Sequence, residues 1–116
     1  MKYVRLYTGA DGQSHFEDLE ITTTKLRAGE WSSETLKATG IIFRETDGEY
    51  NLDFHPAPRR QFVVTLEGHV QIEVGDGSKR TFGPGDIMLA EDTHGQGHIS
   101  RAIDDKPRRS VFMPLE

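Results

Sequence analysis

The chain has 116 residues, of which 28% are charged and 34% hydrophobic, and its formal net charge is −5. This length suits one domain with its own core rather than two. The acidic balance argues against a nucleic-acid partner, because neutralising phosphates requires clustered Lys and Arg. There is no cysteine, which excludes disulfides and thiolate metal sites.

The N-terminal residues lack the apolar run of a signal peptide. No segment approaches the ~20 consecutive apolar residues that a membrane-spanning helix needs. We therefore expect a cytoplasmic protein with no membrane partner.

The first third of the chain predicts two strands and an arm. Alternating side chains predict a strand over residues 2–8, and the glycine-containing stretch 9–12 predicts a turn. A second strand is expected over residues 15–21, interrupted by a bulge or loop because Phe16 and Ile21 are out of register. Apolar residues are too sparse for a long helix over residues 22–39, which we interpret as an extended arm or loop.

From residue 40 onward the pattern is one of short strands separated by turns. Asp47-Gly48 predicts a hairpin between the first two of these strands. The absence of a helical period favours an all-β sandwich or barrel. The predicted strands cover residues 41–45, 49–54, 61–67, 70–74, 79–82, 87–90, 98–103 and 109–113.

The stretch 55–68 is the most informative part of the chain. Its strand places Gln61, Val63 and Thr65 on one face, and Phe62 and the following alternate residues on the other. Neither face is fully polar, so both are expected to be covered. Because the preceding loop carries histidine and arginine, the pattern indicates a lined cavity inside a β-structure.

Two motifs resemble the small single-domain, RmlC-like cupins: Gly68 closing a first motif, and the turn 82–86 (Phe-Gly-Pro-Gly-Asp) before an apolar strand. The resemblance covers roughly residues 53–113. It implies a cupin-type double-stranded β-helix, that is, a jelly-roll barrel, with a pocket at its mouth and commonly a homodimer. We expect residues 1–116 to form one such domain, whose N-terminal strands in 1–39 pack on the barrel or on a dimer partner.

Metal-binding cupins carry two His and a Glu in the first motif and a His in the second. In the first motif of this chain, Asp53 stands in the first His position, His55 in the second and Gln61 in the Glu position. In the second motif, His94 and His98 lie on either side of the expected His position. The resemblance implies a metal site at His55, Gln61 and His98 for Fe, Mn, Ni or Zn. Because Gln61 lacks a negative charge, we expect weak or partial occupancy unless Asp53 completes a two-histidine, one-carboxylate set.

Arginines near the predicted pocket can hold an anion. Arg59 and Arg60 either clamp a carboxylate through paired hydrogen bonds or form an exposed loop pair with nearby acidic residues. Arg44 lies on an otherwise apolar strand and can point into the barrel. Gln61, which enters a buried strand, needs a partner for its amide. His15 is interpreted as a capping or partner-strand contact.

Two functions are compatible with these residues. One is a metal-dependent oxygenase, isomerase or lyase acting on a small polar or anionic molecule. The other is a non-catalytic module that binds or senses a small ligand and has a degenerate metal site. The missing Glu ligand favours the second, and the two histidines keep the first open.

We also expect a homodimer. The side chains of Tyr3, Tyr7, Phe16 and Trp31, with the two-sided apolar strand 61–67, offer more apolar surface than one small barrel hides.

Overall fold

The computed structural model describes residues 1–116 as an all-β chain of twelve strands. It contains no helix that is long and apolar enough to cross a membrane. The strands are β1 (Lys2–Thr8), β2 (Ser14–Glu20), β3 (Thr24–Arg27), β4 (Glu30–Ser32), β5 (Ile42–Thr46), β6 (Asn51–His55), β7 (Gln61–Glu67), β8 (Val70–Glu73), β9 (Lys79–Phe82), β10 (Ile87–Ala90), β11 (His98–Ala102) and β12 (Arg108–Pro114).

Two main sheets form the fold. One has six strands in the order β2-β1-β10-β7-β12-β5, and the other has four in the order β6-β11-β8-β9. Counting β5 as the first of eight strands, the two sheets read 6-3-8-1 and 2-7-4-5. This alternation between sheets is the order of a jelly roll. The predicted all-β jelly-roll fold is therefore confirmed.

The jelly-roll order corrects the hairpin expected at Asp47-Gly48. Strands β5 and β6 are not paired with each other, since they belong to different sheets. The turn carries the chain across the sandwich, a route that the dipeptide does not distinguish from a hairpin. Each strand instead finds a partner distant in sequence: β5 pairs with β12, and β6 with β11.

The interruption expected in β2 was also wrong. This strand pairs with β1 without a break from Lys2↔Glu20 to Thr8↔Ser14. Ile21 lies beyond the end of the strand, so it sets no register within it. Phe16 packs against the core instead of lying on the surface.

The arm over residues 22–39 contains a hairpin that the sequence analysis did not predict. Strands β3 and β4 pair only with each other. Gly29, in their turn, has φ +80°, a left-handed conformation that glycine adopts readily. The rest of the arm is extended and returns to the barrel at a bridge between Ala38 and Leu115.

The core lies between the two main sheets. Strand β7 shows the predicted division into two faces, with Gln61, Val63 and Thr65 buried on one of them. The other face, which was also expected to be covered, is partly exposed, and Leu66 on it is 55% exposed. Apolar side chains from both sheets fill most of the interior but leave room for a cavity among them. The core cluster is Leu6, Ala57, Val63, Val70, Ile72, Val74, Phe82, Met88, Ala90 and Phe112.

Candidate functional site

A cavity of about 290 Å³ lies between the sheets and is lined by 17 residues. Nine of them are hydrophobic, so its walls are largely continuous with the core. The lining contains two arginines and no aspartate or glutamate, which makes the cavity electropositive. Its polar side chains are those of Arg44, His55, Gln61, His98, Ser100 and Arg108, and Tyr50, one of the nine hydrophobic residues, adds a hydroxyl group.

A buried carboxylate orients His98. The Nδ1 atom of His98 lies 2.6 Å from Oδ2 of Asp92, and the same oxygen accepts a hydrogen bond from the Ser14 hydroxyl at 2.7 Å. Asp92 is 0% exposed and its Oδ1 has no hydrogen-bond partner. Because a carboxylate accepts, His98 donates from Nδ1, and its Nε2 is left free as the acceptor of the neutral ring.

His55 is held beside His98 in a similar way. Its Nδ1 lies 2.7 Å from the backbone oxygen of Asp53, which can only accept, so Nδ1 carries the hydrogen. The two imidazole centroids are 4.5 Å apart. Gly97 permits this approach, because a Cβ added there would lie 2.0 Å from the His55 carbonyl oxygen. Neighbouring imidazoles with engaged Nδ1 atoms can accept protons or bind a metal through Nε2.

Arg108 is the most unusual group in the cavity. It is 6% exposed, and its guanidinium donates hydrogen bonds only to the Thr65 hydroxyl, from Nε at 3.2 Å and from a terminal nitrogen at 2.9 Å. No carboxylate neutralises it. Burial lowers the pKa of Arg108 to about 10, and the nearby Arg44 lowers it further, whereas Tyr50 opposes the shift. Arg108 therefore remains charged at neutral pH.

Arg44 adds a second positive charge at a more exposed position of the cavity. It is on β5, opposite Ser110 of β12, and its guanidinium lies 4.0 Å from the centroid of the Phe112 ring. A cation over an aromatic face is stabilised without losing its charge. Arg44 thus remains available to an anion in the cavity.

The cavity brings together four of the residues singled out from the sequence: Arg44, His55, Gln61 and His98. Arg59 does not line it, although it donates a long hydrogen bond of 3.5 Å to Oε1 of Gln61.

Other candidates from the sequence lie elsewhere. Arg60 pairs with Glu91 instead of lining the cavity. Asp53 is exposed, and its carboxylate accepts a hydrogen bond from the Phe54 amide at 2.8 Å. No group of three or more His, Cys, Asp or Glu side chains is arranged to hold a metal ion. A two-histidine, one-carboxylate set with Asp53 is therefore not assembled.

The other two histidines lie outside the cavity. His94 is exposed, and its backbone oxygen accepts a hydrogen bond from the Thr8 hydroxyl. His15 contacts Asp11 through Nε2 at 2.9 Å. This hydrogen bond, together with one from the Gln13 backbone, lowers the pKa of Asp11.

Sequence reasoning missed Arg108 and Asp92. A signal for Arg108 was present, since Arg108, Ser110 and Phe112 share one face of β12 while Arg109 points the other way. For Asp92 there was none. It lies in a loop between β10 and β11, and its role depends on Ser14, which is 78 residues away in the chain.

A network around Glu91 joins the start of β7 to the N-terminal strands. Arg5 donates from Nε to Glu91 at 2.7 Å, and Arg60 pairs with the other carboxylate oxygen. Burial alone raises the pKa of Glu91, but the hydrogen bonds from Arg60 and Arg5 outweigh it, so the net pKa is lowered.

Replacing this carboxylate is expected to change the acid stability of the protein. A lowered folded-state pKa contributes stability above the unfolded value of about 4.5, and that contribution is lost as the pH falls through the folded pKa. We expect Glu91→Gln to reduce the free energy of unfolding by about 1 kcal/mol at pH 7. The difference from wild type should shrink as the pH is lowered below 4.5. Urea titrations at pH 7 and at acid pH measure this, with the exposed Glu34→Gln as control. An equal cost at both would contradict it.

Comparison with known proteins finds no matching family model and no matching curated protein. Among solved structures, protein NMB1881 of Neisseria meningitidis is similar at a TM-score of 0.51 and 17% identity, covering 74% of this chain and 84% of that chain. An RmlC-like cupin protein of Desulfovibrio desulfuricans aligns over 99% of this chain and 84% of its own, at 14% identity and a TM-score of 0.44. Likeness at such identity concerns the fold alone. The strand order of the two sheets identifies that fold as a jelly-roll barrel.

Proposed function

We propose that the barrel cavity binds a small organic anion, most simply a carboxylate. The observation that carries this proposal is Arg108, a buried guanidinium without a counter-ion. Burying an unpaired charge costs free energy. Removing one partner of a buried ion pair is strongly destabilising, so a buried charge is stabilised by a partner of opposite sign. A carboxylate offers two acceptor oxygens in the geometry of the guanidinium fork.

The positions of the polar groups suggest what else the ligand carries. Arg108 is bonded to Thr65, whereas Gln61 lies four residues earlier on the same inner face of β7. At ~3.3 Å per residue the two strand positions are about 13 Å apart. His98 and His55 lie near the Gln61 end, because Gln61 pairs with Ala90 just before the His98 loop. We infer a short acid with an apolar middle and a second polar group.

Matched acids and amides test this proposal directly. A panel of short mono- and dicarboxylates is screened by thermal shift and then by calorimetry, with inorganic phosphate as a second anion. Each acid is paired with its neutral amide, which has nearly the same shape. Binding of an acid with no binding of its amide supports the proposal. Equal binding of both, or binding of neither across the panel, contradicts it.

A second candidate is an enzyme acting on the same bound anion. The supporting observation is the buried Asp92, which orients His98 so that Nε2 remains free. An imidazole held in this way can accept a proton from a bound acid, as an isomerase or lyase requires. A metal-dependent reaction, including an oxygenase, would instead place an ion at His55, Gln61 and His98.

That donor set fits a metal ion only weakly. Two imidazoles suit transition metals such as Zn, Ni, Fe or Mn, but Gln61 contributes a neutral amide oxygen. Arg44 and Arg108 in the same cavity repel a cation. We propose at most partial occupancy, with an affinity that falls as the pH is lowered, because a metal ion binds only the neutral form of imidazole.

Gln61→Glu is expected to tighten Zn²⁺ binding about tenfold, because it restores a carboxylate ligand. His55→Ala should weaken it, and the exposed His94→Ala should not change it. Calorimetry with Zn²⁺ at pH 7.5 on protein without a histidine tag measures the effect, and elemental analysis gives the occupancy. If Gln61→Glu and His55→Ala bind like wild type, no metal binds at these residues.

A further inference from the structure

A one-residue bulge in β6 turns His55 toward the cavity. This strand pairs with β11 at Leu52 and again at His55, and the two residues between these positions lie opposite a single residue of β11. In a regular strand, side chains three positions apart point to opposite faces. The bulge brings Leu52 and His55 to the same face, and both line the cavity. The backbone oxygen of Asp53, inside the bulge, also accepts the hydrogen of His55 Nδ1.

The pair of imidazoles presents hydrogen-bond acceptors to the cavity. The Nδ1 atoms of His55 and His98 are both engaged, one by the Asp53 backbone and the other by the Asp92 carboxylate. In a neutral ring the remaining nitrogen, Nε2, is an acceptor. The ring centroids are 4.5 Å apart, so a single polar group of a ligand can lie beside both rings. A ligand group at this position must therefore donate a hydrogen bond.

Gln61 adds a donor at the same end of the cavity. Its Oε1 lies 3.5 Å from a terminal nitrogen of Arg59, which can only donate, so the amide oxygen faces that arginine. The NH₂ group of Gln61 is then left without a partner in the chain, although the residue is only 3% exposed. Buried polar groups are ordinarily hydrogen-bonded. The ligand group beside Gln61 must therefore also accept a hydrogen bond.

Three end groups of small acids can be compared on this requirement: carboxylate, ammonium and hydroxyl. A carboxylate only accepts, so its oxygens would face the lone pairs of the two imidazoles. An ammonium only donates, so it leaves the Gln61 amide unpaired, and Arg44 and Arg108 repel its charge. A hydroxyl donates one hydrogen bond and accepts others, which matches an imidazole and the amide together.

We propose that the cavity binds a hydroxy acid, whose hydroxyl lies beside Gln61 and the two histidines while its carboxylate lies at Arg108. This inference rests on the proposed function and specifies the second polar group of the bound acid. Because Gln61 and the Thr65 partner of Arg108 are four residues apart on β7, the hydroxyl is at the far end of the carbon chain.

The volume of the cavity limits the length of that acid. The cavity measures about 290 Å³. At about 30 Å³ for each water-sized group, it holds roughly ten non-hydrogen atoms. The three oxygens of the acid account for about three of these atoms, so the chain has at most about seven carbons.

Four acids of equal carbon number test the inference by calorimetry on the wild-type protein, with EDTA present to keep the imidazoles free of metal. The unsubstituted, ω-hydroxy, ω-amino and dicarboxylic acids share one carboxylate and differ only at the far end. We expect the ω-hydroxy acid to bind about tenfold or more tightly than each of the others, because a site that hydrogen-bonds a hydroxyl rejects analogues lacking it.

A variant and a spectroscopic measurement locate the hydroxyl. Gln61→Leu removes the donor and should abolish most of the preference for the ω-hydroxy acid, whereas His94→Phe, at an exposed histidine, should keep it. Circular dichroism checks that both variants fold. Nitrogen-15 NMR of the wild type needs no variant: the ω-hydroxy acid should shift the Nε2 resonance of at least one cavity imidazole, and the unsubstituted acid should not.

The possible failures are distinguishable. Equal affinity for the four acids, or tightest binding of the ω-amino or dicarboxylic acid, overturns the inference but leaves the anion site at Arg108. Binding of none of them contradicts the proposed function and the inference with it. A hydroxyl preference that Gln61→Leu retains in full, with unchanged Nε2 resonances, places the hydroxyl elsewhere and overturns the inference as well.

Discussion

Replacing Arg108 with methionine is expected to weaken binding of a carboxylate ligand by about 100-fold or more, because truncating one side of a buried charge pair costs roughly 2–5 kcal/mol. The same change should leave the empty protein at least as stable as wild type. Its guanidinium is buried and bonded only to Thr65, so methionine removes a desolvated charge and keeps an apolar chain of similar length.

The adjacent arginine offers a matched control. Arg109 has a side chain 63% exposed and paired with Glu67 on the opposite face of β12. Arg109→Met removes the same charge from the chain without changing the cavity. Calorimetry with the tightest acid of the panel, and thermal unfolding without ligand, measure the two effects. If Arg108→Met binds the acid as wild type does, or if the two variants lose affinity equally, Arg108 is not the anion anchor.

Asp92→Asn is expected to lower the free energy of unfolding by about 3 kcal/mol, because it weakens a buried hydrogen-bonded network. The carboxylate accepts from both Ser14 and His98 through one oxygen. An amide oxygen in that position carries less negative charge, and the NH₂ group then lies at the buried Oδ1 position, where the structure provides no hydrogen-bond partner. Because Asn has nearly the same volume, lost packing does not account for the change.

Chemical denaturation followed by circular dichroism measures this cost. Asp53→Asn, at an exposed site, is the control and should change stability by less than about 0.5 kcal/mol. A double-mutant cycle of Asp92→Asn with His98→Phe isolates the pair, and we expect a coupling energy of about 1–3 kcal/mol. If the two effects are additive, Asp92 does not act through His98, and the inference that Asp92 orients the imidazole is wrong.

Local pattern was enough to predict much of the fold. The period-two alternation in residues 61–67 predicted which residues share a face of β7, because successive side chains of a strand point to opposite faces. It did not predict which face is the more buried, since both were expected to be covered. The turn at residues 83–86 and the short strands around it predicted an all-β barrel. Gln61 and His98 were assigned to the interior for the same reason, and both line the cavity.

The local sequence pattern could not predict which sheet each strand belongs to. Asp47-Gly48 turns the chain equally well within a hairpin or across a sandwich, and only the pairing of β5 with β12 and of β6 with β11 distinguishes the two. The hairpin β3–β4 was missed because its side chains are exposed and follow no buried period.

The electrostatics of the site depended on through-space neighbours. Arg60 immediately precedes a strand and Arg108 begins one, and each belongs to a pair of consecutive arginines. The sequence alone therefore does not distinguish their environments. In the folded protein Arg60 meets Glu91, 31 residues away, whereas Arg108 is buried beside Thr65 with no carboxylate. Burial and counter-charge set the state of an ionisable group, and both are created only when distant strands pack.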